Sequence, residues 1–128
     1  MFYGQSIADY KWKNRVLLLV DNSVKSQDLQ SQLNLFLSKT ANLEERETLI
    51  FQVNPDEVRL YDGQKSDLNS SDIYKYISIS KKFSGVVLIG KDGDVKFKKP
   101  FEIKPESIFS IIDSMPMRRS EIKHIRGK

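Results

Sequence analysis

Nine side chains in separated stretches have the types needed to recognise an anion or to move a proton. Arg15, Arg46, Lys91, Lys96, Arg118 and Arg119 supply cations, and Asp92, Asp113 and Glu121 supply carboxylates. Guanidinium forks match carboxylate or phosphate oxygens in pairs. A carboxylate left outside such a pair is able to act as general acid or base. The same residues also neutralise one another, and charged clusters at element ends are more often ion-pair locks than ligand sites.

Other chemistries find less support. There is no cysteine, so disulfide exchange, peroxide reduction and thiolate metal ligation are excluded. His124 is the only histidine and lies in a basic tail, without a second imidazole for a triad or a histidine metal site. Asp62, Asp67 and Asp72 are too widely spaced for a calcium-binding loop. The stretch from Gly90 to Gly93 lacks the remaining elements of a phosphate-binding loop and does not open a helix. No metal and no cofactor are expected.

The 128 residues suit one domain with its own core. A hydrophobic fraction of 39% with 30% charged residues is that of a globular chain. The longest apolar run, Val16 to Val20, is far too short to span a bilayer. Residues 118–128 carry Arg118, Arg119, Lys123, Arg126 and Lys128 against Glu121 alone, which accounts for the whole net charge of +4. The body is neutral on balance, which argues against a nucleic-acid-binding face; residues 117–128 read as a solvated or partly helical basic extension. The opening Met-Phe-Tyr-Gly-Gln-Ser has the form of a signal-peptide remnant cut near Gly4, so export to the periplasm or outside the cell stands beside a cytoplasmic location.

The elements that must position these residues follow from periodicity. Arg15 to Val20 is a continuous apolar run suited to a central strand covered on both faces. Asp21-Asn22-Ser23 offers caps for a helix in which Leu29, Leu33, Phe36 and Leu37 recur at helical spacing to about residue 41. Thr48 to Val53 reads as a second strand, and a short extended piece is expected at Val58 to Tyr61 within a polar excursion. Ser70-Ser71-Asp72 caps a short helix with Ile73, Tyr76 and Ile77 on its buried stripe. Gly85 to Gly90 and Asp94 to Lys98 flank Lys91-Asp92-Gly93, an antiparallel hairpin signal. Pro105 opens a last helix bearing Ile108, Ile112 and Met115, and Pro116 stops it.

The order β-α-β-α-β-β-α predicts a three-layer α/β/α sandwich around a mixed sheet of about four strands, the minimal thioredoxin-like arrangement. Trp12-Lys-Asn-Arg15, Glu45-Arg46, the hairpin from Val87 to Lys96 and the segment from Ile112 to Glu121, which contains Met115-Pro-Met-Arg-Arg119, together resemble domain-of-unknown-function family 4174. That resemblance covers most of the chain. It implies kinship with small, often exported bacterial proteins and with modules of sushi-repeat-type extracellular-matrix proteins, a thioredoxin-like or peroxiredoxin-like fold, and no catalytic residues.

In such a fold the redox motif would lie just after the first strand, where this chain has Asn22-Ser-Val-Lys-Ser26. Ser23 and Ser26 keep the i, i+3 spacing, but a hydroxyl forms no mixed disulfide. The proline expected before the third strand is replaced by Phe83-Ser84-Gly85. Topology instead brings the starts of the first two strands, the Lys91-Asp92-Gly93 turn and the segment Met115 to Glu121 to the opposite pole. There Trp12, Met115 and Met117 are expected to close the core, and Arg15, Arg46, Arg118 and Arg119 to pair with Glu45, Asp92, Asp113 and Glu121. The leading expectation is a redox-inactive, non-enzymatic binding module for an unknown protein or a small anionic ligand. The alternatives are a hydrolase or transferase using Asp92, Asp113 or Glu121, and a basic tail that binds polyanions.

Overall fold

The computed structural model describes residues 6–126, with side chains to residue 124; the Met1–Gln5 part of the expected signal-peptide remnant lies outside the described residues. Five strands form one sheet: β1 (Arg15–Val20), β2 (Thr48–Val53), β3 (Val58–Leu60), β4 (Gly85–Ile89) and β5 (Val95–Pro100). Their order is β3-β2-β1-β4-β5, with β1 and β2 parallel and every other neighbouring pair antiparallel. The expected count of about four is corrected by β3. The short extended piece pairs with β2, because Asn54 Oδ1 accepts from the N–H groups of Asp56 and Glu57 and turns the chain back on itself.

The central position of β1 explains its uninterrupted apolar run. Val16, Leu18 and Val20 face one layer with Phe51, Val53, Val87 and Ile89, while Leu17 and Leu19 face the other with Val86 and Leu88. All six residues of β1 are buried. The second layer is closed by α1 (Gln27–Leu37) through Leu29, Leu33 and Phe36, and by α4 (Pro105–Asp113) through Ile108 and Ile112. The first is closed by α3 (Ser70–Tyr76), with Ile73, Tyr74 and Ile77, and by a 3-10 turn at Ile7–Tyr10.

Several local expectations are revised. Ser26, not the Asp21–Ser23 stretch, caps α1 by accepting from the Leu29 N–H at 3.0 Å. The helix ends at Leu37, and a separate short helix α2 (Thr40–Glu45) follows. Asn69 caps α3 through the Asp72 N–H at 2.9 Å. Tyr74 takes the buried place expected of Tyr76, whose ring is exposed and whose hydroxyl donates to the Gly93 carbonyl at 2.6 Å. Pro116 marks the end of α4 and also opens a further helix, α5 (Pro116–Arg126), because a proline suits the first helical turn.

Two glycines answer to geometry. Gly93 sits at φ 87° in the β4–β5 turn, as the Asp-Gly hairpin signal requires. A Cβ at Gly85 would meet the Lys99 carbonyl oxygen at 2.2 Å, so the β4–β5 approach needs a residue without a side chain. Among the described residues no helix is long and apolar enough to cross a membrane.

Candidate functional site

Five segments meet at the pole where β1 and β2 begin. Arg15 is the first residue of β1 and is fully buried, at 0% exposure. Its Nη1 and Nη2 donate to Glu121 Oε1 and Oε2 at 3.2 and 3.1 Å, and Nη1 also reaches the Arg46 carbonyl at 2.9 Å. Lys91, from the β4–β5 turn, donates to the same Glu121 at 2.7 Å and to Glu47 at 2.8 Å. Arg46 grips Asp113 through Nε and Nη2 at 3.1 and 2.9 Å, and its guanidinium carbon lies 4.7 Å from the Phe109 ring centroid. Arg118 donates to Asp113 at 3.1 Å and to Glu45.

Four buried cations, Arg15, Arg46, Lys91 and Arg118, therefore meet four carboxylates, Glu45, Glu47, Asp113 and Glu121. Arg118 Nη1 stands 3.7 Å from Glu121 Oε1 and joins the two halves of the network. The i, i+3 spacing of Arg118 and Glu121 places both on the inward face of α5. Burial pushes the Glu121 carboxyl up, but the hydrogen bonds and charges of Arg15 and Lys91 outweigh it and hold the group below the usual carboxylate range. Asp113 is likewise raised by burial and lowered, on balance, by Arg46 and Arg118. Neither is a poised base.

The remaining expected residues stand apart from this network. Asp92 pairs with Lys96 at 2.6 Å at the rim, not with an arginine, because their side chains meet across the hairpin end. Arg119 is exposed and has no ion pair among the described residues. A cavity of about 50 Å³ lies between Arg15, Lys91, Asp92, Lys96 and Met115–Met117. Trp12 and Met117 do not close the core. Trp12 is 61% exposed and Met117 is also exposed, since the ion pairs and the half-buried Met115 already fill this end of the core.

The opposite pole is not blank, although it lacks thiols. Asp21, at the end of β1, accepts from the hydroxyls of Ser26 and Ser84, both at 2.6 Å, and from the Asn22 N–H at 2.7 Å. Burial raises its carboxyl, while Ser26, Ser84 and Asn22 together lower it below the ordinary value. In the sequence, Ser26 and the Ser84 position read only as replacements for redox residues. The one available signal was an acidic residue directly after a buried strand, which has to be satisfied locally.

With this geometry in place, comparison identifies the fold and the family. The family model described as Domain of unknown function (DUF4174) matches residues 6–121. The chain belongs to this family. The Danio rerio protein named Coiled-coil domain-containing protein 80 is 25% identical over 133 residues, covering 91% of this chain and 15% of that protein, so the chain spans a small part of the curated relative's length. Among solved structures, reduced 2-Cys peroxiredoxin of Plasmodium vivax aligns with a TM-score of 0.58 and 21% identity, over 89% of this chain and 84% of that one. The reduced N-terminal domain of PilB from N. meningitidis aligns with a TM-score of 0.53 and 15% identity, over 84% and 85%. These likenesses show the thioredoxin-like fold of this DUF4174 domain.

Proposed function

We propose that this DUF4174 domain is a redox-inactive, non-enzymatic binding module whose arginine pole presents a protein-binding surface centred on Trp12. The observation that carries the reading is the conformation of that residue. Trp12 is 61% exposed, yet it is held at φ 70°, with its N–H donating to the Lys91 carbonyl at 2.6 Å. A left-handed backbone costs a bulky residue about 1–3 kcal/mol, and this one is not repaid by burial. Exposed tryptophans are the residue type that most often anchors an interface.

Lys91, whose carbonyl receives the Trp12 N–H, lines one crevice with Met117 and Lys96, and Lys11 Nζ lies 5.3 Å from the Trp12 ring centroid. An acidic protein segment fits that combination. The neighbouring cavity of about 50 Å³ has room for only a water or two, which favours a protein over a small organic anion as the partner. In this reading Arg15, Arg46, Lys91, Asp113, Arg118 and Glu121 hold the surface in shape, and Asp92, Lys96 and Arg119 form its rim. Enzyme chemistry at this pole has no free carboxylate among Asp92, Asp113 and Glu121 to work with. The kinship with modules of sushi-repeat-type matrix proteins belongs to the same reading, with the domain acting as one binding unit of a longer chain.

A labelled glutamate-rich peptide followed by fluorescence anisotropy tests this. W12A is expected to weaken binding by about tenfold or more with the thermal midpoint unchanged. Equal binding by W12A, or retention of heparin but not of the peptide, would replace this surface with a polyanion-binding one.

A further inference from the structure

Strand β2 runs on past the strand that covers it. The Glu47 and Val53 carbonyls accept from the Arg15 and Asp21 N–H groups at 3.0 and 3.1 Å, and the Asn54 N–H donates to the Glu57 carbonyl at 3.0 Å. Backbone groups alternate sides along a strand, so the odd-numbered residues of β2 serve β1 and the even-numbered ones face outward. Gln52 meets Arg59 on that outer side, but β3 ends at Leu60, opposite Phe51. The Thr48 N–H and carbonyl and the Ile50 N–H are left without a strand beside them among the described residues. We infer that this stretch is a peptide-docking edge: it takes an extended segment of another protein as an added strand, in which apolar residues alternate with lysine or arginine.

The two sides of the sheet are built differently. On β5, Lys96, Lys98, Lys99 and Pro100, with the register shift against β4, are the devices that keep an edge from pairing. Thr48-Leu49-Ile50 carries no charge, no proline and no irregularity of register. Its middle residue, Leu49, is 36% exposed, although β2 is not a terminal strand of the sheet. An apolar edge with open backbone groups is a template for an added strand.

A groove along this edge selects the side chains of the partner. A cavity of about 190 Å³ lies between Thr48–Ile50, the residues Leu37, Leu43 and Glu44 of α1 and α2, and the exposed ring of Tyr61. Successive residues of an added strand point to opposite faces, so alternate ones enter the groove and those between them lie on the other face of the sheet. Leu37, Leu43 and Ile50 suit an aliphatic side chain there. Glu44 is exposed, has no ion pair among the described residues, and no cation lines the groove, so it complements a lysine or arginine. A second copy pairing edge to edge offers only the same cation-free groove, which favours a different protein as the partner.

Amide chemical-shift titration of the intact chain with a short peptide of alternating lysine and valine tests the assignment, beside the same peptide with serine for lysine. Saturable shifts centred on residues 43–51 are expected with the lysine peptide, and binding about tenfold weaker with the serine one. Methylating one alternate set of peptide amide nitrogens is expected to abolish binding and methylating the other to spare it, because only one set faces β2. E44K is expected to weaken the lysine peptide by about tenfold, with the urea midpoint unchanged. In the free chain the Thr48 and Ile50 amides are expected to exchange with solvent faster than those of Leu49 and Phe51, and the peptide to slow them. No saturation with the lysine peptide, equal binding of the serine peptide, or equal loss from both methylations would overturn the proposal. So would Thr48 and Ile50 amides already protected in a free chain that sediments as a dimer, since the edge would then belong to a second copy. None of these arms alters Trp12 or uses an acidic peptide, so their failure and that of the Trp12 surface are read separately.

Discussion

Arg15 Nε and the Tyr74 hydroxyl are the buried side-chain polar atoms without a partner among the described residues. Their situations differ. Arg15 spends its other donors on Glu121 and the Arg46 carbonyl, so the guanidinium as a whole is well held. Tyr74 has one polar atom and leaves it unmet. Removing an unsatisfied buried hydroxyl while keeping the ring stabilises a fold or leaves it unchanged, whereas truncating a satisfied one destabilises it. Y74F is accordingly expected to unfold at an equal or higher urea concentration, by up to about 1 kcal/mol. A loss of stability beyond that in equilibrium denaturation would show that the hydroxyl has a partner in the native state.

At the scale of elements, α5 makes the arginine pole possible. The segment reads as a basic extension because its charges dominate the sequence locally, but helical geometry sorts them: Arg118 and Glu121 turn inward, while Arg119 and Lys123 stay exposed. Glu121 is the single carboxylate shared by Arg15 and Lys91, which are nearly or fully buried. Replacing it leaves the buried Arg15 without a carboxylate and Lys91 with Glu47 alone. Breaking one side of a buried ion pair costs about 3–5 kcal/mol, and the partial exposure of Glu121 places E121Q nearer the lower figure. Chemical denaturation should report a loss of about 2–3 kcal/mol, with hydrogen exchange showing the amides of α5 deprotected first. A change below about 0.5 kcal/mol would mean that α5 docks by apolar contact alone.

For the whole molecule, both poles are closed by carboxylates that hold their protons less tightly than usual: Asp21 at one, Asp113 and Glu121 at the other, with Asp92 at the rim. In the unfolded chain these groups return to ordinary values near 4. The unfolded state therefore takes up protons first as pH falls, and stability rises with pH in that range. The contribution is fully present above the ordinary carboxylate range and is lost as pH drops through the lower folded values. Urea midpoints are expected to be flat near neutrality and to decline from about pH 5 downward, less steeply in E121Q. A midpoint unchanged on acidification to about pH 3 would contradict the ion-pair closure of the arginine pole and the hydrogen-bonded closure at Asp21.

Strands β1, β2, β4 and β5, helices α1, α3 and α4, the buried course of β1 and the hairpin at Gly93 are legible in the residues, because periodicity and turn chemistry act over short stretches of chain, whereas the break between α1 and α2, the pairing of β3 and the extent of α5 are not. The meeting of Arg15, Arg46, Lys91 and Arg118 at one pole is legible too, since parallel β1 and β2 leave little freedom once the topology is set. Pairing was not legible. Which carboxylate serves which cation depends on atoms some 30 to 106 positions apart in sequence approaching within about 3 Å, and several assignments are equally consistent with charge alone. The exposure of Trp12 and the burial of Tyr74 in place of Tyr76 were decided in the same way, by which neighbouring side chains had already filled each end of the core.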